Sequence, residues 1–257
     1  MIPRHILLTG ATGKFGKVLT KHLIEQGHHV IAISRSQAKL ADLPARLSID
    51  PSQFNEHFTG IEVDLAQPEA PSKICDILNN KSISVTHLIN NARSIEYLKT
   101  EANGVVSAHN FTQEFVVDVV IPYQLSMALV ERQGQHLKHI IHIGSQYGTV
   151  AANLNLYDQP QIESAIHYSV AKAALVHLTK EMATRLARRQ IQVNCVSYGG
   201  VAGRVNEAFE QRYAALSPIG RMLQEEEILA PIDMLINHPS ISMTGHTLHA
   251  DGGWSLW

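Results

Sequence analysis

Short apolar runs rich in Ile and Val recur along the chain, at His5–Thr9 and at residues 28–34, 60–64, 86–90, 138–143 and 190–196. Each has the length of a buried strand and is too short for a core helix. Between them lie longer amphipathic stretches, such as 14–26, 112–132 and 164–189, whose apolar positions suit one face of a helix. Strand and helix alternate throughout, which predicts a parallel sheet with helices on both faces. A last short strand is expected at 246–250. Residues 153–163 read as an inserted polar loop, with Pro160 arguing against helix there. No linker, repeat or low-complexity tract interrupts the pattern, so one domain over residues 1–257 is expected.

Composition narrows the classes of function. A hydrophobic content of 45% supports a sizeable core, and a formal net charge of -2 gives no general attraction to nucleic acid or anionic membrane. Cys75 and Cys195 are far apart and lack metal-ligand spacing, as suits a reducing cytosol. The first residues, Met1 to His5, lack a signal-peptide core, and no apolar run is read as approaching membrane-spanning length. A soluble, cytoplasmic protein is expected. His136, His139 and His142 fall at intervals of three. The last two sit on an expected strand, whose alternation sends them to opposite sides, so no metal site is expected.

Candidate chemistry begins at the end of the first strand. Thr9-Gly-Ala-Thr-Gly-Lys-Phe-Gly16 opens the first helix, and Gly10, Gly13 and Gly16 permit a tight turn and close approach to a pyrophosphate. The helix N-terminus favours that charge. The spacing is G-x-x-G-x-x-G rather than the G-x-G-x-x-G of the common dinucleotide fingerprint. At the end of the second strand an acidic residue would bind the ribose 2′-hydroxyl of NAD, whereas Arg accommodates a 2′-phosphate. Ser34-Arg35 stands there, with Lys14 a second phosphate partner, so NADP is preferred, with NAD the alternative. Further along, Tyr168 and Lys172 are four residues apart on an expected helix and share a face. A free phenol has a pKa of about 10, and a neighbouring ammonium favours its phenolate. The pair is a candidate acid–base centre.

In this order the motifs resemble those of the short-chain dehydrogenase/reductases, in their shorter, single-domain branch, over nearly all of the chain. The resemblance rests on the glycine turn, Asp64-Leu65, Asn90-Asn91-Ala92, Ser145, Tyr168-x-x-x-Lys172, Gly199-Gly200-Val201 and the terminal Asp251-Gly252-Gly253. It implies a Rossmann-like, doubly wound parallel sheet in three α/β/α layers. It also implies a cofactor held by Gly10, Thr12, Gly13, Lys14, Phe15, Gly16, Ser34, Arg35, Asp64, Leu65, Asn90, Ala92, Tyr168, Lys172, Gly199 and Val201. Tyr168 would exchange a proton with the substrate oxygen, Ser145 would hydrogen-bond that oxygen, and Lys172 would hold the nicotinamide ribose and lower the Tyr168 pKa. Asp118 stands where such proteins often carry an Asn whose backbone carbonyl completes a proton relay.

Other departures are Tyr198 in place of a Pro, expected to loosen the turn before Gly199, Gly203 near a usual Thr, and Arg93 in place of a Gly. Arg93 reads either as a solvated loop arginine or as a side chain that reaches the substrate cleft to bind an anion, and Gln146 is a second candidate substrate contact. The segment from Ser145 to Tyr168 is longer than usual and, with nearby residues, is similar to members of bacterial surface-sugar and flagellin-glycan pathways. A sugar phosphate or nucleotide sugar is thus the first expectation for substrate. A 3-oxoacyl thioester reductase and a non-catalytic dinucleotide sensor are alternatives. With the sequence running only a few residues past Gly253, no C-terminal substrate domain of the kind sugar epimerases carry is expected. The resemblance also implies a homotetramer or homodimer, and Trp254 and Trp257 would form an exposed apolar patch in a monomer.

Overall fold

The computed structural model describes residues 3–238 and 242–256. Seven strands, β1 His5–Thr9, β2 His29–Ser34, β3 Phe58–Glu62, β4 His87–Asn90, β5 His139–Ile143, β6 Gln192–Tyr198 and β7 Thr247–Ala250, form one sheet in the order β3-β2-β1-β4-β5-β6-β7. Every pairing is parallel. The helices are α1 Lys14–Glu25, α2 Gln37–Ala41, α3 Leu43–Leu47, α4 Pro51–His57, α5 Ala70–Asn80, α6 Ala108–Phe115, α7 Ile121–Gln133, α8 Pro160–Glu163, α9 Ile166–Leu186, α10 Glu207–Leu216 and α11 Leu229–Asn237. This is the parallel sheet with helices on both faces expected from the alternation of elements, and the three-layer, Rossmann-like architecture implied by the resemblance.

Both faces of the sheet are covered. Ile6, Leu8, Ala32 and Ile141 pack with Leu19 and Leu23 of α1 and Ile232 of α11. The alternate positions Leu7, Ile31, Leu88 and Ile140 pack with Ile74 of α5, Leu125 of α7 and Met182 of α9. Burial on both faces explains why these strands are nearly continuous apolar runs. The same alternation separates two of the expected histidines. His139 meets the Leu235 carbonyl and Asn194, whereas His142 meets Asn90.

Three expectations need correction. Pro160 does not prevent a helix: it begins α8, because proline's missing N–H and fixed φ are tolerated at a first helical turn. The segment Ala108–Gln133 has the length and apolarity of a membrane span, contrary to the reading that no run approaches it. Its inward face is instead used in packing, with Leu125, Leu129 and Val130 buried in the core beside α5. Within it, residues Val116–Val120 form a π-helical turn, a local widening found disproportionately at functional sites. Finally, Trp254 is no exposed patch; it is buried and stacks on Tyr213 with ring centroids 4.3 Å apart. Trp257 lies outside the described residues.

Candidate active site

The strand order reverses its direction of growth between β1 and β4, and a crevice opens beyond the carboxyl ends of the strands there, as in other open α/β sheets. The cleft has a volume of about 810 Å³. One end is built by the glycine turn. A Cβ on Gly16 would lie 2.1 Å from the Gly10 carbonyl oxygen, and Gly10 itself has φ +65° with Ala92 against it. Only glycine fits either position. Helix α1 begins at Gly13 with no side-chain cap and no acidic residue in its first turn, which leaves its N–H groups available to an anion. Thr9 fastens the neighbouring strand end by accepting from the backbone N–H groups of Asn91 and Ala92, both at 2.9 Å.

Thr12, Gly13, Phe15, Ser34, Arg35, Asp64 and Leu65 all line this end of the cleft. The Ser34 hydroxyl is within 3.3 Å of that of Thr12, and Arg35 is exposed. Lys14 also lines the cleft, but its ammonium is engaged by the Ala202 carbonyl and by Glu225 at 3.2 Å. The side chain of Asn90 turns away: strand alternation directs it below the sheet, where its amide meets Ser126 and His142. Asn91, quoted in the motif but not singled out, does face the cleft, and its amide donates to the carbonyls of Thr9 and Gly10.

At the other end Ser145, Tyr168, Lys172, Gly199 and Val201 come together with Ala92 and Arg93. Ser145 caps a short 3-10 turn after β5, accepting from Tyr147 N–H at 3.3 Å. Lys172, one turn beyond Tyr168 on α9, is buried with its Nζ 5.6 Å from the Tyr168 ring centroid. It donates to the Ile143 carbonyl at 3.1 Å and pairs with Asp118 at 3.2 Å. Burial opposes its charge, but Asp118 and Tyr168 outweigh that and hold its pKa above the ordinary lysine value. Asp118 does not reach the cleft; it sits in the π-helical turn behind Lys172, 1% exposed. The ammonium is therefore not a free neighbour of the phenol, as the spacing alone implied, but half of a buried ion pair.

Arg93 is exposed in the cleft and lays its guanidinium carbon 4.5 Å from the Tyr168 ring centroid, within cation–π range. Gln146 is buried, and its Oε1 accepts from the Tyr213 hydroxyl at 2.8 Å. That hydroxyl in turn accepts from Gly200 N–H at 2.9 Å, so Gln146 braces the loop after β6. Tyr198 does not loosen this loop: its hydroxyl donates to the Ile228 carbonyl at 2.6 Å and its ring packs edge-on against Phe15. The inserted segment adds Tyr157, whose hydroxyl meets that of Tyr147 at 3.0 Å. Glu114, which no motif marked, lies fully buried on α6 one turn before Asp118. Among the described residues no group of three or more metal-ligating side chains comes together.

The model of the short chain dehydrogenase family matches residues 4–214. The chain belongs to that family and is an NAD(P)-dependent oxidoreductase. Among its curated relatives, a post-translational flagellin modification protein A of Campylobacter coli is 23% identical, with 98% of each chain covered. A 3-oxoacyl-[acyl-carrier-protein] reductase of Vibrio cholerae is 27% identical, covering 96% of this chain and 95% of that one. Among solved structures, a short chain dehydrogenase from Leptospira borgpetersenii with bound NAD+ superposes with a TM-score of 0.83 at 26% identity, over 98% of this chain and 93% of that one.

Proposed function

We propose that this single-domain enzyme interconverts a hydroxyl and a carbonyl, with Tyr168 moving the proton and Ser145 holding the substrate oxygen. The observation that carries this reading is the meeting of Ser145, Tyr168 and Lys172 at one end of a cleft whose other end is a glycine cradle. The cradle fits a dinucleotide: the turn admits no side chain at Gly10 or Gly16, and the uncapped α1 N-terminus faces the pyrophosphate position. Gly10, Thr12, Gly13, Phe15 and Gly16 would hold that pyrophosphate. Asp64 and Leu65 would border the adenine, and Ala92, Gly199 and Val201 the nicotinamide. The chemistry such a cofactor would supply is hydride transfer at the carbon that bears the oxygen. Tyr168 gives or takes the proton, the Ser145 hydroxyl steadies developing charge on the oxygen, and Lys172 orients the ribose. The enzyme works in the cytoplasm as a homotetramer or homodimer.

NADP is the preferred cofactor, because Ser34 offers no carboxylate to a ribose hydroxyl and exposed Arg35 lies at the cleft edge. NADPH is expected to bind more tightly than NADH, and Arg35→Asp to shift preference toward NADH. Fluorescence titration of both cofactors into wild type and variant tests this; tighter NADH binding by the wild type overturns it.

For substrate, we propose a sugar phosphate or nucleotide sugar. The hydroxyl pair of Tyr147 and Tyr157 and the guanidinium of Arg93 offer hydrogen bonds to hydroxyls and an anion. The Campylobacter flagellin-modification relative supports the choice. A 3-oxoacyl thioester is the second reading, supported by the Vibrio reductase. A screen of sugar phosphates, nucleotide sugars and acyl thioesters, followed by nicotinamide absorbance, separates the two. If the first is right, Arg93→Ala weakens substrate binding about tenfold or more, the worth of one charge-assisted contact, while leaving cofactor affinity unchanged. An unchanged KM in this variant removes Arg93 from substrate binding.

A further inference from the structure

Behind the reacting groups lies a second acidic group that the chemistry above does not use. Glu114 is 0% exposed, and neither of its carboxyl oxygens has a hydrogen-bond partner among the described residues. An ionised carboxylate in such a place is strongly disfavoured, whereas a protonated one is tolerated. Asp118 follows one turn later, on the wall that backs Lys172. The two carboxyls and Lys172 form a buried row leading toward Tyr168, and the widened turn at Val116–Val120 carries its central member.

The charges around this row are placed unequally. Asp118 is compensated by Lys172 at 3.2 Å, while Glu114 has no paired cation among the described residues. Burial raises the Glu114 pKa most, and the Asp118 charge raises it further; Arg93 and Lys172 pull it back, leaving it at about 7. The remaining titratable groups on elements packed against α6 are Glu96 and Tyr97 of the 3-10 turn at Glu96–Leu98, and His167, Tyr168, His177, Lys180, Glu181 and Arg185 of α9. His167 is held by the Tyr97 carbonyl at 2.7 Å. His109 lies on α6 itself, edge-on to the Tyr97 ring. None of these offers Glu114 a hydrogen bond.

We propose that Glu114 is a proton-holding residue whose proton is coupled, through the charges of Asp118 and Lys172, to what binds at the Tyr168 end of the cleft. With no hydrogen bond to Asp118, Glu114 hands no proton along the row; it keeps or gives up its own proton as the charge beside Lys172 changes. Glu114 touches neither substrate nor cofactor, so it acts through Asp118 and Lys172 and is not a catalytic residue.

The proposal rests on the oxidoreductase reading, and the test keeps the two apart. Infrared difference titration of the purified protein from pH 5 to 9 is expected to show a carboxylic acid C=O band that disappears near pH 7 in wild type and is absent from Glu114→Gln. NADP+ and NAD+ are then each titrated calorimetrically at pH 7 in buffers of different ionisation enthalpy. The cationic nicotinamide, arriving near Lys172, is expected to expel part of the Glu114 proton in wild type and none in Glu114→Gln. Failure of both cofactors to bind refutes the oxidoreductase reading itself. Binding without a Glu114 band, or with equal proton release by both proteins, refutes the proton-holding role alone. Stability gives a third readout. Because the folded carboxyl keeps its proton where the unfolded one, with its ordinary pKa of 4.5, has lost it, wild type loses stability as pH rises from 4.5 toward 7. Glu114→Gln is therefore expected to gain in melting temperature over wild type through that window and to hold the gain above it. A difference independent of pH contradicts the assigned ionisation.

Discussion

Tyr168→Phe is expected to lower turnover by roughly 10²–10⁴, the range for loss of a positioned acid–base group, while cofactor affinity stays nearly constant. The substitution removes one oxygen and keeps the ring, so Arg93 retains the aromatic face it rests on. No described hydrogen bond is lost from the fold, because none to the Tyr168 hydroxyl holds a neighbouring element in place. Steady-state kinetics with cofactor titration in parallel separates chemistry from binding. Near-wild-type turnover by the variant would end the proposed mechanism.

Lys172→Ala is expected to do something the family resemblance does not by itself imply: to destabilise the protein as well as disable it. Lys172 and Asp118 are 6% and 1% exposed in their side chains and lie 3.2 Å apart. Breaking a buried ion pair by removing one partner costs about 3–5 kcal/mol, because the other charge is left uncompensated. The variant therefore loses both turnover and a substantial part of a stability that for most domains totals only about 5–15 kcal/mol. Adding Asp118→Asn to Lys172→Ala removes the stranded charge and is expected to recover much of the stability and none of the turnover. Chemical denaturation of wild type, single and double variants measures this. Equal stability of wild type and Lys172→Ala would show the pair to be energetically idle.

The two outcomes locate different kinds of information in the chain. Tyr168 was legible because a four-residue helical spacing survives any tertiary arrangement. The pairing of Lys172 with Asp118 was not, since residues 118 and 172 are brought together by the packing of the π-helical turn against α9. Asn90 and Asn91 show the same limit within a single motif. Adjacent strand residues point to opposite faces, so one braces Ser126 and the other supports the glycine turn. Lys14 lines the cleft, yet what its ammonium meets is the Ala202 carbonyl and Glu225, close to 200 residues away.

Alternating apolar runs, glycine spacing and the Tyr168–Lys172 interval by themselves determined the parallel sheet, its covered faces, the glycine turn and the shared helix face of Tyr168 and Lys172, while the ordered set of motifs carried the resemblance to the family. These are local properties: strand length, backbone freedom and helical periodicity are written in consecutive residues. Only the tertiary structure decided that Lys172 is neutralised by Asp118, that Arg93 lies on the Tyr168 ring, that Gln146 and Tyr198 brace the loop after β6, and that Glu114 is buried with no hydrogen-bond partner among the described residues. A charge or a hydrogen bond acts over a few ångströms of space, and folding places in that space groups that the chain keeps far apart.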